Sequence, residues 1–314
     1  MPSTKAPEMP AAAAAPVRPR PRRIAVVINA ASGSVGPDAA PVVERLVAER
    51  GHDLTVYSPE PHDIEAAVRD AVAGAPDLLL VLAGDGTARL AAQLCGAAGP
   101  LVAPLPGGTL NMLPRALYGD VNWRQALVAT LDHGVERCVC GGRINGLAFY
   151  CAAILGSPAL WGHAREAVRK GNFAEAFRRA RFALRRAFTG GLHYALDGRP
   201  RRDAEALILI SPLVSKAMTA DTALEVAGLD MHSAQEVFRL AFNGLTSDWR
   251  RDPGVIDETS LRGRVWARRS IPAILDGEIQ RLPRGAEFVF DSCAFRALVQ
   301  PRESDSASQH GSGA

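Results

Sequence analysis

Three five-residue stretches, 24–28 (IAVVI), 78–82 (LLLVL) and 101–105 (LVAPL), are apolar at every position. A half-exposed strand alternates apolar and polar residues. An unbroken apolar run therefore belongs to a strand covered on both faces, as in a parallel sheet between two layers of helices. The intervening sequence meets that requirement. Residues 37–50, 63–73 and 88–95 read as helices, residues 54–57 read as a further strand, and another helix is expected to start near residue 109. Strand and helix alternate to about residue 137, which predicts a doubly wound α/β domain over residues 22–137.

Beyond residue 138 the pattern changes. Short apolar segments separated by glycine, at 143–154, 191–196, 204–210, 224–227, 264–269 and 287–291, predict an antiparallel, β-sandwich-like domain over residues 138–302. Two helices are expected within it, at 159–188 and 235–242. Residues 1–21 are rich in Pro and Ala, residues 303–314 in Ser and Gly, and both read as disordered tails. The longest apolar runs are strand-sized, too short to span a membrane, and no export signal is recognised. The five cysteines (Cys95, Cys138, Cys140, Cys151 and Cys293) contain no C-x-x-C, which points to a reduced, cytoplasmic compartment.

Three strand-to-helix loops carry the chemistry. They are Asn29-Ala30-Ala31-Ser32-Gly33-Ser34, Gly84-Asp85-Gly86-Thr87 and Pro106-Gly107-Gly108-Thr109-Leu110-Asn111. All fall at the C-terminal ends of parallel strands, where open α/β sheets bind ligands. Glycine lets backbone N–H groups approach phosphate oxygens, and the helix N-terminus that follows adds partial positive charge. Asp85 lies between two glycines where phosphates are expected. A carboxylate there calls for a cation, and magnesium is commonly shared by carboxylate, water and phosphate. The plainer alternative is an N-cap for a helix beginning at Thr87. Neither a third glycine for a dinucleotide fingerprint nor a Walker lysine is present.

The order Asn-x-x-Ser-Gly, Gly-Asp-Gly-Thr, Gly-Thr-x-Asn resembles the diacylglycerol kinase catalytic family, which includes bacterial lipid kinases and sphingosine kinases. The resemblance covers about residues 23–300 and implies an ATP-binding α/β domain, with the lipid site formed between it and a β-sandwich-like domain. The chain end is expected to return to the first domain. By motif, Asn29, Ser32, Gly33, Gly84, Asp85, Gly86, Thr87, Gly108, Thr109 and Asn111 would line the nucleotide site. Ser58, after the second strand, falls where the family often has an ATP-contacting threonine. In Leu275-Asp276-Gly277-Glu278 the family resemblance makes Glu278 the general base on the acceptor hydroxyl, with Asp276 orienting it or helping with metal. Read alone, Asp276-Gly277 is a hairpin turn. Asp221 matches the aspartate of a structural magnesium site in bacterial members, with Thr222 in place of the usual glycine. Ala83, Arg89, Leu90 and Met112 also depart from the family pattern, and these changes leave the Gly-Asp-Gly-Thr core intact.

The resemblance implies ATP and Mg2+ as cofactors and a lipid alcohol as acceptor. Diacylglycerol is the first reading. The alternatives are a long-chain base or small alcohol, or a regulator that binds nucleotide or lipid without turnover. NAD kinases and phosphofructokinases share the central loop but not its combination with the other motifs. A net charge of +3 gives no case for nucleic acid. The charge is concentrated, with 11 Lys/Arg against 3 Asp/Glu between residues 161 and 202. Arg178, Arg179, Arg181, Arg185 and Arg186 surround a helical stripe of Phe173, Phe177, Ala180, Leu184 and Phe188, a pattern suited either to anionic lipid or to packing within the domain. Peripheral contact with the inner face of the membrane and a homodimer are carried as expectations.

Overall fold

The computed structural model describes residues 19–156, 191–215, 217–218, 220–229 and 255–301. The helices expected at 159–188 and 235–242, and with them the five arginines of the basic stripe, lie outside the described residues. Among the described residues no helix is long and apolar enough to cross a membrane.

The first unit runs β1 (Arg23–Ile28), α1 (Ala39–Ala48), β2 (Asp53–Tyr57), α2 (Ile64–Ala73), β3 (Leu78–Ala83), α3 (Asp85–Cys95), β4 (Leu101–Pro106), α4 (Met112–Tyr118) and α5 (Trp123–His133). The strands pair in parallel in the order β2-β1-β3-β4. Successive side chains on a strand point to opposite faces, and here both faces are covered. Ile24, Val26, Leu78, Leu80 and Leu82 pack against Val43 and Val47 of α1 and Trp123 of α5. Ala25, Val27, Leu79 and Val81 pack against Val68, Ala91 and Leu117 from α2, α3 and α4. This double burial is why the runs are apolar throughout. Helix α5 was not anticipated, although Asn122 and Gln125 form a capping box at its start.

The second unit comprises β5 (Val135–Ile144), β6 (Leu147–Phe149), β7 (Ala152–Gly156), β8 (Leu192–Leu196), β9 (Arg202–Ala204), β10 (Ala206–Ile210), β11 (Leu224–Leu229), β12 (Val255–Ser260), β13 (Arg262–Trp266), β14 (Ile271–Leu275), β15 (Glu278–Leu282) and β16 (Gly285–Val299). The apolar segment at 143–154 is three strands rather than one. A tight turn at Asn145 (φ +47°) and Gly146 (φ +83°) separates β5 from β6. Six strands form a separate sheet, β12-β11-β10-β7-β14-β15. The two sheets of this unit enclose a core that includes Tyr194, Leu207, Leu275 and Phe288.

Strand β16 connects the units. Its first half pairs antiparallel with β13, β5 runs antiparallel beside it as far as Val299, and its end also lies parallel to β4, with Ala297 opposite Val102. Its register against β5 shifts between Asp291 and Phe295. A disulfide joins Cys138 of β5 to Cys293 inside that irregularity, across a sequence separation of 155. The reading of a fully reduced cysteine complement is corrected for this pair, while Cys95, Cys140 and Cys151 are free and buried.

Candidate active site

The three glycine-containing loops leave the C-terminal ends of β1, β3 and β4 and are tied to one another by hydrogen bonds. The Asn29 amide donates to the Leu82 carbonyl at 2.9 Å, and Asn29 Oδ1 accepts the Ala31 N–H at 3.1 Å. Ser34, which the sequence reading did not select, fastens the first loop to the third. Its N–H donates to Gly107 O at 3.2 Å, and its Oγ reaches Pro106 O at 3.1 Å and Gly108 O at 3.3 Å. A Cβ on Gly108 would lie 2.9 Å from Gly84 Cα, so the second and third loops meet backbone to backbone where no side chain fits.

Asn111 adopts a left-handed conformation (φ +52°) and folds back on its own loop. Its Oδ1 accepts the Gly108 N–H at 2.7 Å and its Nδ2 donates to Gly108 O at 2.9 Å. Both functions of the side-chain amide are used in shaping the loop, and the side chain does not line the cleft.

Asp85 is the first residue of α3. The N-cap is Gly84 in extended geometry, without a side-chain capping bond, so the N-cap alternative for Asp85 fails. Its carboxylate faces the start of α4 instead. Burial pushes the carboxyl above the usual carboxylate range, and the backbone N–H groups of Met112, Leu113 and Asn111 counter this in part. Oδ1 is buried and has no hydrogen-bond partner. A buried carboxylate oxygen left unmatched in this way suits a cation.

On the opposite wall, Asp276 (φ +47°) and Gly277 (φ +88°) form the turn between β14 and β15, both in the left-handed region that a tight hairpin of this kind needs. The hairpin reading and the site reading therefore describe one feature. Asp276 is 4% exposed, and its carboxylate accepts the N–H groups of Tyr150 at 2.6 Å, Cys151 at 2.8 Å and Ala152 at 2.9 Å. Burial raises its carboxyl, and those three N–H groups and the Arg89 charge oppose the rise. With its lone pairs committed to the backbone, Asp276 braces the turn. The next residue, Glu278, opens β15 and is exposed to the cleft. Its Oε1 lies 2.9 Å from the point a Cβ on Gly86 would occupy.

Together these elements enclose a cleft of about 810 Å³. It brings together Asn29, Ser32, Gly33, Gly84, Asp85, Gly86, Thr87, Gly108 and Thr109 from the first unit with Asp276 and Glu278 from the second. Ala31, Leu110, Gly277 and Ile279 also line it and were missed, because apolar residues beside a motif carry no chemical signature of their own. Ser58 lies elsewhere, in a shallow depression of about 340 Å³ with Tyr57, Asp63 and Asp70. Asp221 is exposed and also outside the cleft lining. Among the described residues no group of three or more His, Cys, Asp or Glu side chains forms a metal cluster.

Residues 23–141 match the family model of the diacylglycerol kinase catalytic domain. A crystal structure of a diacylglycerol kinase from Bacillus anthracis str. Sterne superposes with a TM-score of 0.65 at 16% identity, covering 90% of this chain and 99% of that one. Two further solved structures from the same organism superpose with TM-scores of 0.68 and 0.66 at 16% and 17% identity, each covering 90% of this chain and 99% of its own. At these identities the superpositions speak for the fold, and they extend it over both units. The motif order, the loop geometry and the sequence match agree: residues 23–141 are similar to the diacylglycerol kinase catalytic domain.

Proposed function

We propose that this protein transfers the γ-phosphoryl group of ATP to a hydroxyl of diacylglycerol or a closely related lipid alcohol. One observation carries the reading. Glu278 shares a single cleft with the three loops whose backbone N–H groups suit phosphates, although it comes from the other unit of the chain.

The division of labour follows from what phosphoryl transfer requires. The transferred group needs little covalent help and much positioning and charge neutralisation. The Gly33 and Gly86 backbones and the N-terminus of α3 supply both to the polyphosphate, with Ser32, Thr87 and Thr109 hydroxyls at hand. The acceptor hydroxyl loses its proton to the Glu278 carboxylate as its oxygen bonds to the γ-phosphorus, and the bond to ADP breaks. Asp276 keeps Glu278 in place through three backbone hydrogen bonds. A divalent cation fits at Asp85, whose Oδ1 is buried and unmatched; when bound it would neutralise phosphate charge. The proposal assigns no metal to Asp276, whose carboxylate is already occupied, or to Asp221, which lies away from the cleft.

The test is transfer from γ-labelled ATP to a panel containing diacylglycerol, a long-chain base and glycerol, with Asp85→Asn and Glu278→Gln as controls. Labelled phosphatidic acid from the wild type, and its loss in both variants, is the expected result. Full activity in both variants would remove the assignment of the site. ATP binding with no transfer to any acceptor would favour the regulator reading.

A further inference from the structure

Four large hydrophobic side chains are exposed among the described residues: Leu110, Val214, Leu261 and Val289. Of these, Leu110 alone lines the cleft. It is 39% exposed and sits in the third loop between Thr109, which faces the phosphate region, and Asn111, which is locked back on Gly108. Its Cδ1 lies 3.7 Å from the Cβ position of Gly277, and Met112 Sδ lies 3.9 Å from the same point. Ile279, the residue after Glu278, lines the cleft as well and is only partly buried. An apolar lip therefore spans the two units immediately beside the carboxylate, made by Leu110 on one side, with Met112 behind it on the core of the first unit, and Ile279 on the other.

Resting on the phosphotransfer reading above, we infer that this lip selects the acceptor. Leu110 and Ile279 hold the hydrocarbon next to the reacting hydroxyl, with Met112 as an adaptable backing, so a lipid alcohol is accepted over a polyol. Water covers an exposed leucine at a free-energy cost that an alkyl or acyl group removes, whereas glycerol or a sugar has to surrender hydrogen bonds to water at the same surface. Thioether side chains conform to chains of differing shape, which suits an acceptor with variable tails. The position matters as much as the chemistry. A hydrocarbon seated on the lip leaves its hydroxyl beside Glu278, so recognition and proton removal are coupled through neighbouring residues of β15.

The experiment compares the wild type with Leu110→Ser and the conservative Leu110→Met. Phosphorylation of dioctanoylglycerol in detergent micelles is measured against phosphorylation of glycerol. Leu110→Ser is expected to lower kcat/KM for dioctanoylglycerol on the order of tenfold more than for glycerol, chiefly through KM. Leu110→Met should retain the wild-type preference. Equal losses on both acceptors, or an unchanged preference, would overturn the inference. Equilibrium binding of the same micelles without ATP gives a second readout that does not depend on turnover. Weaker binding by Leu110→Ser than by Leu110→Met supports the lip even if no phosphoryl transfer is found, and equal binding by all three proteins counts against it.

Discussion

Gly86→Ala separates the proposed chemistry from folding. The new methyl carbon would lie 2.9 Å from Glu278 Oε1 and 3.4 Å from its Cδ, whereas ordinary contact begins near 3.4 Å. The carboxylate oxygen must therefore retreat by about 0.5 Å. It is the free end of a flexible side chain, so the move costs little stability. Gly86 lies in the first turn of α3, and its φ is not in the left-handed region, so alanine suits its backbone. Inside a helix alanine is favoured over glycine by up to about 1 kcal/mol. Tm should then stay within about 3 °C of wild type. Activity should not. Displacing a catalytic group by 1 Å costs on the order of 100-fold, so half that displacement predicts a fall in kcat of about tenfold, equivalent to about 1.4 kcal/mol in the barrier. The assay is phosphoryl transfer from labelled ATP by Gly86→Ala, Glu278→Gln and the double variant, alongside thermal melts and ATP binding. Since both changes act through one carboxylate, Gly86→Ala should add little loss to Glu278→Gln. Fully additive losses, or a Gly86→Ala enzyme with wild-type kcat, would refute the reasoning.

Asp276→Ala leaves the buried N–H groups of Tyr150, Cys151 and Ala152 unmatched, each at about 1–3 kcal/mol. Its Tm should fall by roughly 6 °C or more, whereas Glu278→Gln should melt with the wild type. Asp85→Asn should lose transfer activity and yet melt at or above the wild-type temperature near pH 7. Burial holds the Asp85 carboxyl above the ordinary value of 3.8, so its contribution to stability is present below that pH and is lost as pH rises through the raised value. The advantage of asparagine should accordingly shrink as melts are repeated toward pH 3.8, and an advantage independent of pH would contradict this cause. Thiol titration of the denatured protein should count three reactive groups without reductant and five with it. In the native state Cys95, Cys140 and Cys151 should stay silent, because burial raises all three, Cys95 to about 12. Five reactive thiols without reductant would remove the Cys138–Cys293 bond.

The two halves of the site were legible to different degrees, for physical reasons. The loops at Ser32-Gly33, Gly84–Thr87 and Gly108-Thr109 are short-range features. Each follows a strand whose double burial shows as an apolar run, and the second and third use glycine where their backbones meet at Gly84 and Gly108. Local sequence records both requirements. Glu278 has no such record. The residues around it announce only a turn, and the family resemblance was needed to give the glutamate a role. The Cys138–Cys293 pair was missed because its two members lie 155 residues apart, whereas β14 and β15 pair with each other and left only the Asp276-Gly277 turn between them as a local signal. Asn111, assigned to the nucleotide by its motif, and Ser58, assigned by its position after the second strand, both lie outside the cleft lining: Ser58 sits in another depression and the Asn111 amide turns inward to hold Gly108.

Long-range pairing also decides whether the cleft works. After β15 the chain passes through Pro283 and Arg284 into β16, which crosses to the first unit and lies beside β4. The far end of β4 carries the Gly107-Gly108 loop. The separation between Glu278 and the phosphate-facing backbone is therefore set by the pairing of β16 with β4 and β5, and by the irregularity between Asp291 and Phe295 that bends the strand on its way. A motif search locates the two reacting walls. The strand that holds them at working distance belongs to neither motif, and its sequence is constrained only to be apolar where it is buried and to slip register at one place. Substitutions that repair the irregularity should therefore impair catalysis from outside the cleft, by moving Glu278 relative to Gly86 while leaving every residue of both walls unchanged.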